Sequence, residues 1–514
     1  MFNKYIRGSG AAVVNVYPQV SNKDTVKSIN PNAGKETKDD PEYKNLTFTP
    51  MPDYPANIQL PVAQAPKIVK IPEYYTKTFD NGLKIIGTKT TKIPVVEVTL
   101  NIDGGDLVLS PEELKRNGIA ELTAALLNES TQKHSTEELS AELDKIGADI
   151  SFNSTKTGTT ISLFCLKKNL DAALALLNEK LMMPGFNEKD FKRVKKGYKG
   201  ELGQQKSNPD YISSAAYESI LYGHTIWGEN PLKKNVDKLE LADVKTYYDK
   251  FYSPSHCKLV IVGDVGQEEI IPKLDFLKNW QAKEYKIFSE AVPEKTEPQV
   301  YIVDKIGAPV SIISMGHSSL LYNATGDYYK NRIANFMLGG NFNSRLNLNL
   351  REDKGYTYGI TSSFYGDRYI GYLKIKSAVK RQKTGNSLVE IIKETDNYIK
   401  NGLSQEDIDF TKNSLLNSEA MRYETNDAKA TFLDRIIDYN LDKDFTLKQS
   451  QILKDLTRED FNNQIKKAYD PSKMFIVIVG DKFAIKKQME LINFNTKDFN
   501  DKLNIKKFKE IEVD

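Results

Sequence analysis

One feature constrains this chain more than any other: it contains a segment used twice. Tyr252-Ser253-Pro254-Ser255 is followed by Val260-Ile261-Val262-Gly263-Asp264, and Tyr469-Asp470-Pro471-Ser472 by Val477-Ile478-Val479-Gly480-Asp481. Each pair is separated by 217 positions, from 252 to 469 and from 264 to 481. Upstream, Leu239 pairs with Leu456, Asp243 with Asp460 and Val244 with Phe461 at the same offset. A helix, a proline turn and an apolar strand closed by Gly-Asp therefore occur twice. Two homologous halves are the economical explanation, and the all-apolar strands are expected to be buried in sheets.

Both halves open with strand patterns, at 83–86 and 95–102 in the first and at 299–303 and 310–315 in the second. Between opening and closing strands the periodicity is mostly helical. Ser135 with Glu138 forms a capping box, Leu139, Leu143 and Ile146 mark one face, and Gly147 supplies a stop. A hairpin-like pair at 149–154 and 159–166 follows, then a helix ending before Pro184. Strands at both ends with helices between them predict an α+β fold: two repeats, each an antiparallel-rich sheet layered with helices. The boundaries read as a first repeat over 71–265, a connector over 266–298 and a second repeat over 299–514. Residues 21–70, proline-punctuated and without periodicity, read as an extended linker. Residues 1–20 loosely echo the two repeat endings, which suggests the terminal strand of a missing preceding repeat; an ordinary N-terminal strand fits as well.

Composition narrows the functional classes. Over 514 residues, 72 Lys and Arg nearly balance 69 Asp and Glu, without long single-sign blocks, so wholesale nucleic-acid or lipid binding is not implied. No apolar run approaches the roughly 20 residues of a membrane-spanning helix, and the first residues hold no signal-peptide core. The compartment is left open. Cys165 and Cys257 belong to no CxxC pair and read as two half-buried thiols. The 27 tyrosines are dispersed and read as packing residues. Four histidines, none in HExxH or HxxEH, make a self-contained zinc site an unfavoured reading.

The stretch Asn117-Gly118-Ile119-Ala120-Glu121-Leu122-Thr123-Ala124-Ala125-Leu126-Leu127-Asn128-Glu129-Ser130-Thr131 resembles the first helix of the insulinase/pitrilysin-type metallopeptidases, the inverzincins, which include the mitochondrial processing peptidase. The resemblance runs over residues 71–485. In that family the helix carries H-x-x-E-H, two zinc ligands flanking the Glu that activates water. Here Glu121, Ala124 and Ala125 stand in those places, and Glu201 stands at that of the distal carboxylate ligand. The resemblance therefore implies no metal in this chain. Independently of it, Ile119, Leu122 and Leu126 form one apolar helix face, so this helix is expected to pack rather than catalyse.

The second half keeps other features. Leu350-Arg351-Glu352-Asp353-Lys354-Gly355-Tyr356-Thr357-Tyr358-Gly359 resembles the segment through which the family contributes an Arg, and a Tyr seven positions later, to a zinc site on another half or chain. Arg351 and Tyr358 match, and the preceding Gly339, Gly340 and Asn341 are also similar to the family and are candidate substrate-binding positions. On the residues alone the glycine pair is a flexible turn between helices, Arg351 a solvated helix end and Tyr358 a strand residue. The resemblance implies a clamshell half that closes a peptide-holding chamber and offers Arg351 and Tyr358 to a substrate carbonyl and its developing oxyanion. Zinc and the general base are then expected from a partner: a zinc-bearing insulinase-like chain or a missing N-terminal half. The alternative is a degenerate scaffold that binds peptides or proteins without chemistry.

Overall fold

The hexapeptide Phe475–Gly480 is buried at every position, which a strand achieves only when both faces of its sheet are covered. The computed structural model, which describes residues 69–289, 293, 296–492 and 508–511, shows how. Twelve strands are described: β1 Tyr75–Thr78, β2 Lys84–Lys89, β3 Val95–Asp103, β4 Asp149–Thr155, β5 Gly158–Leu166, β6 Cys257–Gly263, β7 Val300–Asp304, β8 Val310–Ser318, β9 Thr357–Gly366, β10 Gly371–Lys380, β11 Phe475–Gly480 and β12 Phe508–Glu510. They form two six-stranded sheets ordered β1-β2-β6-β3-β5-β4 and β12-β7-β11-β8-β10-β9. Within each, the closing strand lies between the two opening strands, parallel to one and antiparallel to the other: β6 between β2 and β3, β11 between β7 and β8. The other internal pairings are antiparallel except that between β12 and β7. This is the α+β, antiparallel-rich architecture expected from the sequence.

One face of each sheet packs on helices of its own half. Leu259 and Ile261 of β6 enter the core built with Leu122, Leu126 and Val244, while Ile476 and Ile478 of β11 enter the one built with Leu388, Ile391 and Phe461. The other face is covered by a helix from the opposite half. Pro209–Tyr222 lays Ile212, Ala216, Tyr217 and Leu221 on Ile312, Phe475, Val477 and Val479 of the second sheet. Asn426–Tyr439 lays Phe432, Leu433 and Ile436 on Ile86, Val260 and Val262 of the first. These two 14-residue helices are themselves 217 positions apart, 209 to 426 and 222 to 439. The exchange accounts for both apolar closing strands, since each buried aliphatic side chain contributes about 1.5–3 kcal/mol.

A polar knot fastens one of these contacts. Lys258 of β6 bonds Asp103 of β3 at 2.7 Å and Asp438 of the Asn426–Tyr439 helix at 2.8 Å. Arg368, in the β9–β10 turn, also pairs with Asp103 and Asp438. Asn101 donates to Asp434 at 2.8 Å. Burial, with Asp438 adding to it, lifts the Asp434 carboxyl to about 6 despite the opposing influence of Lys258, Asn101 and Arg368.

Local signals are realised closely. The Thr136–Ile146 helix begins at a Ser135/Glu138 capping box and ends at Gly147 in the left-handed region. The hairpin is β4–β5, and the next helix is Leu170–Met182. One expectation is corrected: Cys165 and Cys257 are free and fully buried rather than half-buried, because each lies on a sheet face packed into the first core. The stretch 266–298 contains the short helices Gln267–Ile270 and Asp275–Lys278. Residues 1–20 and nearly all of 21–70 lie outside the described residues.

Candidate functional site

The helix that would carry a zinc motif is Ile119–Leu127. Ala124 is 1% exposed, and Leu122 and Leu126 join the core as the sequence anticipates. Ala125 is only partly buried. Glu121 faces a residue that sequence reasoning did not single out, Asp106, in the turn Gly105–Val108. Asp106 is fully buried and accepts from the backbone amides of Gly118 at 3.2 Å and Ala120 at 3.4 Å, so it holds the helix start. Burial lifts both carboxyls, Asp106 to about 6 and Glu121 well above the ordinary carboxylate range, with Asp106 adding to the shift of Glu121. Because Asp106 accepts two amide protons it keeps the charge, and Glu121 carries the proton of the pair. A protonated Glu121 beside two alanines offers no ligand set for zinc. Glu201 is exposed on the Glu188–Gln205 helix. Among the described residues no group of three His, Cys, Asp or Glu side chains is placed to hold a metal ion, so the positions where the family places zinc do not fit it here.

This pair has a measurable signature. Folding at neutral pH requires Glu121 to take up a proton that the unfolded chain lacks. The stability the pair confers is complete below the unfolded carboxyl pKa. It is lost as pH rises through the folded value, at about 1.4 kcal/mol per pH unit. Glu121→Gln is neutral in both states. Urea unfolding of the variant should be more costly at pH 7.5 than that of the parent, with a slope between pH 5 and 7.5 flatter by about one proton. An unchanged slope would show that Glu121 is ionised in the fold.

The second candidate segment lies elsewhere in the molecule. Arg351 sits on the π-helical turn Leu348–Asp353, and Tyr358 is the second residue of β9. The link between them is held by Gly355 N to Arg351 O at 3.2 Å and Tyr356 N to Leu350 O at 2.9 Å. The Arg351 guanidinium bonds Glu352 at 2.6 Å and lies 4.2 Å from the ring centre of Phe342, itself 64% exposed. Tyr358 is 97% exposed, and its hydroxyl makes no hydrogen bond among the described residues. Adjacent, Gly339 packs against β9 so closely that a Cβ would fall 2.5 Å from the Ser362 nitrogen, which argues for close approach at this glycine rather than flexibility. Gly340 is exposed, and the Asn341 amide closes its own turn by donating to Phe336 O at 2.6 Å. Arg351 and the exposed Phe342 thus stack on one another and Tyr358 stands exposed at the start of β9, whereas Ala124 is buried, Glu121 and Ala125 are partly so, and Glu201 is a separate exposed carboxylate.

Comparison with known proteins decides the family. Residues 84–229 match the insulinase (peptidase family M16) model and residues 238–415 the model of the peptidase M16 inactive domain. The chain belongs to the peptidase M16 family. Among similar M16 proteins is the "Non-peptidase homolog YmxG" of Helicobacter pylori, 25% identical over 406 residues, 76% of this chain and 90% of that one. The "Uncharacterized zinc protease YmxG" of Bacillus subtilis is 23% identical over 68% of this chain and 85% of its own. In fold, the peptidase M16 inactive domain from Pseudomonas fluorescens superposes with a TM-score of 0.71 at 22% identity, covering 80% of this chain and 98% of that one. This chain is accordingly an insulinase-like M16 member whose first-half helix lacks both histidines and the glutamate of H-x-x-E-H.

Proposed function

We propose that this chain completes the substrate chamber of a zinc endopeptidase whose metal and general base reside on a partner M16 chain or half. In this reading Arg351 and Tyr358 donate hydrogen bonds to the carbonyl of the peptide bond being cut and to the negative charge that develops on it. Neither side chain supplies the metal or the carboxylate with which the family activates water. What they supply is two hydrogen-bond donors.

The observation that carries the reading is the exposure of Tyr358 at the start of β9, seven positions from an Arg351 that stacks on the exposed Phe342. A phenol at 97% exposure contributes nothing to a core, and its hydroxyl remains available to a ligand, while the Arg351 guanidinium would exchange its surface partner Glu352 for one. The buried Asp106–Glu121 pair supports the same division of labour, because it fills the position of the first zinc ligand with a packing contact. The test is turnover of an unstructured peptide by the chain combined with a zinc-bearing M16 partner, comparing Arg351→Ala and Tyr358→Phe with the parent. A fall in both supports the reading. Unchanged turnover in both replaces it with a scaffold that binds peptide or protein without contributing to chemistry.

A further inference from the structure

The sheet face that displays Tyr358 also carries two lysines. Along β10, Leu373, Ile375, Ser377 and Val379 are buried and alternate with Lys374 and Lys376, which point to the opposite face. Across the ladder, Lys374 faces Ser363 and Lys376 faces Thr361, both exposed on β9. The two lysines differ in one respect. Lys376 is neutralised by Asp210 at 2.7 Å. Lys374 has no carboxylate within ion-pair distance among the described residues: its ammonium donates to Ser214 Oγ at 3.2 Å and lies 4.7 Å from the ring centre of Tyr217.

That environment strains the charge. Burial lowers the Lys374 pKa to about 8, with Lys376 adding to the effect and the more distant Glu218 and Asp210 opposing it. A partly desolvated ammonium whose neighbours are a hydroxyl and an aromatic ring gains from any carboxylate that reaches it. Its position relative to Tyr358 is fixed by the ladder. Ser377 pairs with Ile360 and Val379 with Thr357, a register shift that sets Tyr358 and Gly359 together against the single residue Ala378. Lys374 is four residues further along β10, about 13 Å at strand spacing, and a displacement of four returns to the same face.

We propose that Lys374 is a specificity-determining cation of this surface, receiving an Asp or Glu side chain of an extended peptide four residues from the bond held at Tyr358. The peptide class selected is acidic at that one position. The inference rests on the chamber reading above, because Tyr358 marks where the reacting bond lies. It can nevertheless fail separately.

The experiment uses the full chain without a partner and reads binding rather than turnover. Fluorescent 12-residue peptides of neutral sequence, each with one Glu moved through successive positions, are titrated against their Gln counterparts at low ionic strength. The parent should bind the Glu peptide about tenfold more tightly than the Gln peptide at one position, the equivalent of one charge-assisted hydrogen bond. Lys374→Met should bring that ratio to one, Lys374→Arg should retain it, and Lys376→Met should leave it in place. Equal binding of Glu and Gln peptides to the parent at every position overturns the proposal. So does a ratio that survives in Lys374→Met. Retention by Lys374→Arg ties the effect to charge rather than to altered folding. A preserved Glu preference alongside turnover indifferent to Arg351 and Tyr358 would sink the chamber chemistry alone, and the converse pattern would sink this assignment alone.

Discussion

Arg351→Ala is expected to lower kcat of the complex with a zinc-bearing partner by about 10²- to 10³-fold, and Tyr358→Phe to act in the same direction. That is the usual effect of removing one donor from a site that stabilises a developing oxyanion. The loss should fall on kcat more than on KM, because a hydrogen bond that strengthens as charge accumulates is worth little to the neutral ground state. Neither substitution should disturb the fold. Tyr358 is almost fully exposed, and the ion pair between Arg351 and its neighbour Glu352 lies at the surface, where such pairs contribute roughly 0–1 kcal/mol. Steady-state kinetics on the two variants, with thermal unfolding run in parallel, checks both halves of the expectation. Intact turnover in both variants would leave the exposed surface without a chemical role.

The second large effect concerns stability. Lys258→Met removes the ammonium that bonds both Asp103 and Asp438, leaving those carboxylates and Asp434 with Arg368 as the remaining cation in the knot. Breaking a buried pair by deleting one partner strands the other charge, and about 3–5 kcal/mol is the expected loss. Its pH dependence identifies the cause. The folded pKa of Asp434 is already raised to about 6, above an unfolded value near 4. The stability associated with its protonated form is complete below the unfolded value and disappears as pH rises through 6. Loss of Lys258 should accentuate that behaviour, so the deficit measured by urea unfolding should be larger at pH 7.5 than at pH 5. Asp434→Asn in the Lys258→Met background should recover part of it. A deficit independent of pH, or none, would mean that the knot does not hold the exchanged helix on its sheet.

What could be read from the sequence was local or repeated. The apolar runs of β6 and β11 announced themselves because coverage on both faces leaves little place for polar side chains, Lys258 of β6 being an exception held by carboxylates, and the Thr136–Ile146 helix carried its own start and stop within 13 residues, from Ser135 to Gly147. The exchange of Pro209–Tyr222 and Asn426–Tyr439 was not legible, since an apolar helix face states that it will be covered and not by which sheet. The short edge strands β1 and β12, four and three residues long, carry too little pattern to stand out. Arg351 and Tyr358 were visible as a spaced pair. Asp106 was not, because a buried carboxyl acquires its meaning from Glu121, 15 positions away, and no spacing rule links a turn to the first coil of a later helix. A Gly104-Gly105 pair just before an acidic residue was the available signal. Lys374 looked like any outward lysine in an alternating strand, and only the position of Ser214, Tyr217 and Asp210 distinguishes it from Lys376.

Under the proposed division of labour, the chain offers Arg351 and Tyr358 to a peptide bond under attack while its own first-half helix is given over to packing. The most direct measurement is made on the isolated full-length protein, freed of contaminating proteases: bound zinc by elemental analysis, together with cleavage of an unstructured polypeptide with and without chelator. The account predicts zinc far below one equivalent and no chelator-sensitive cleavage. Near-stoichiometric zinc with cleavage abolished by chelator, both lost on Glu201→Ala, would contradict it.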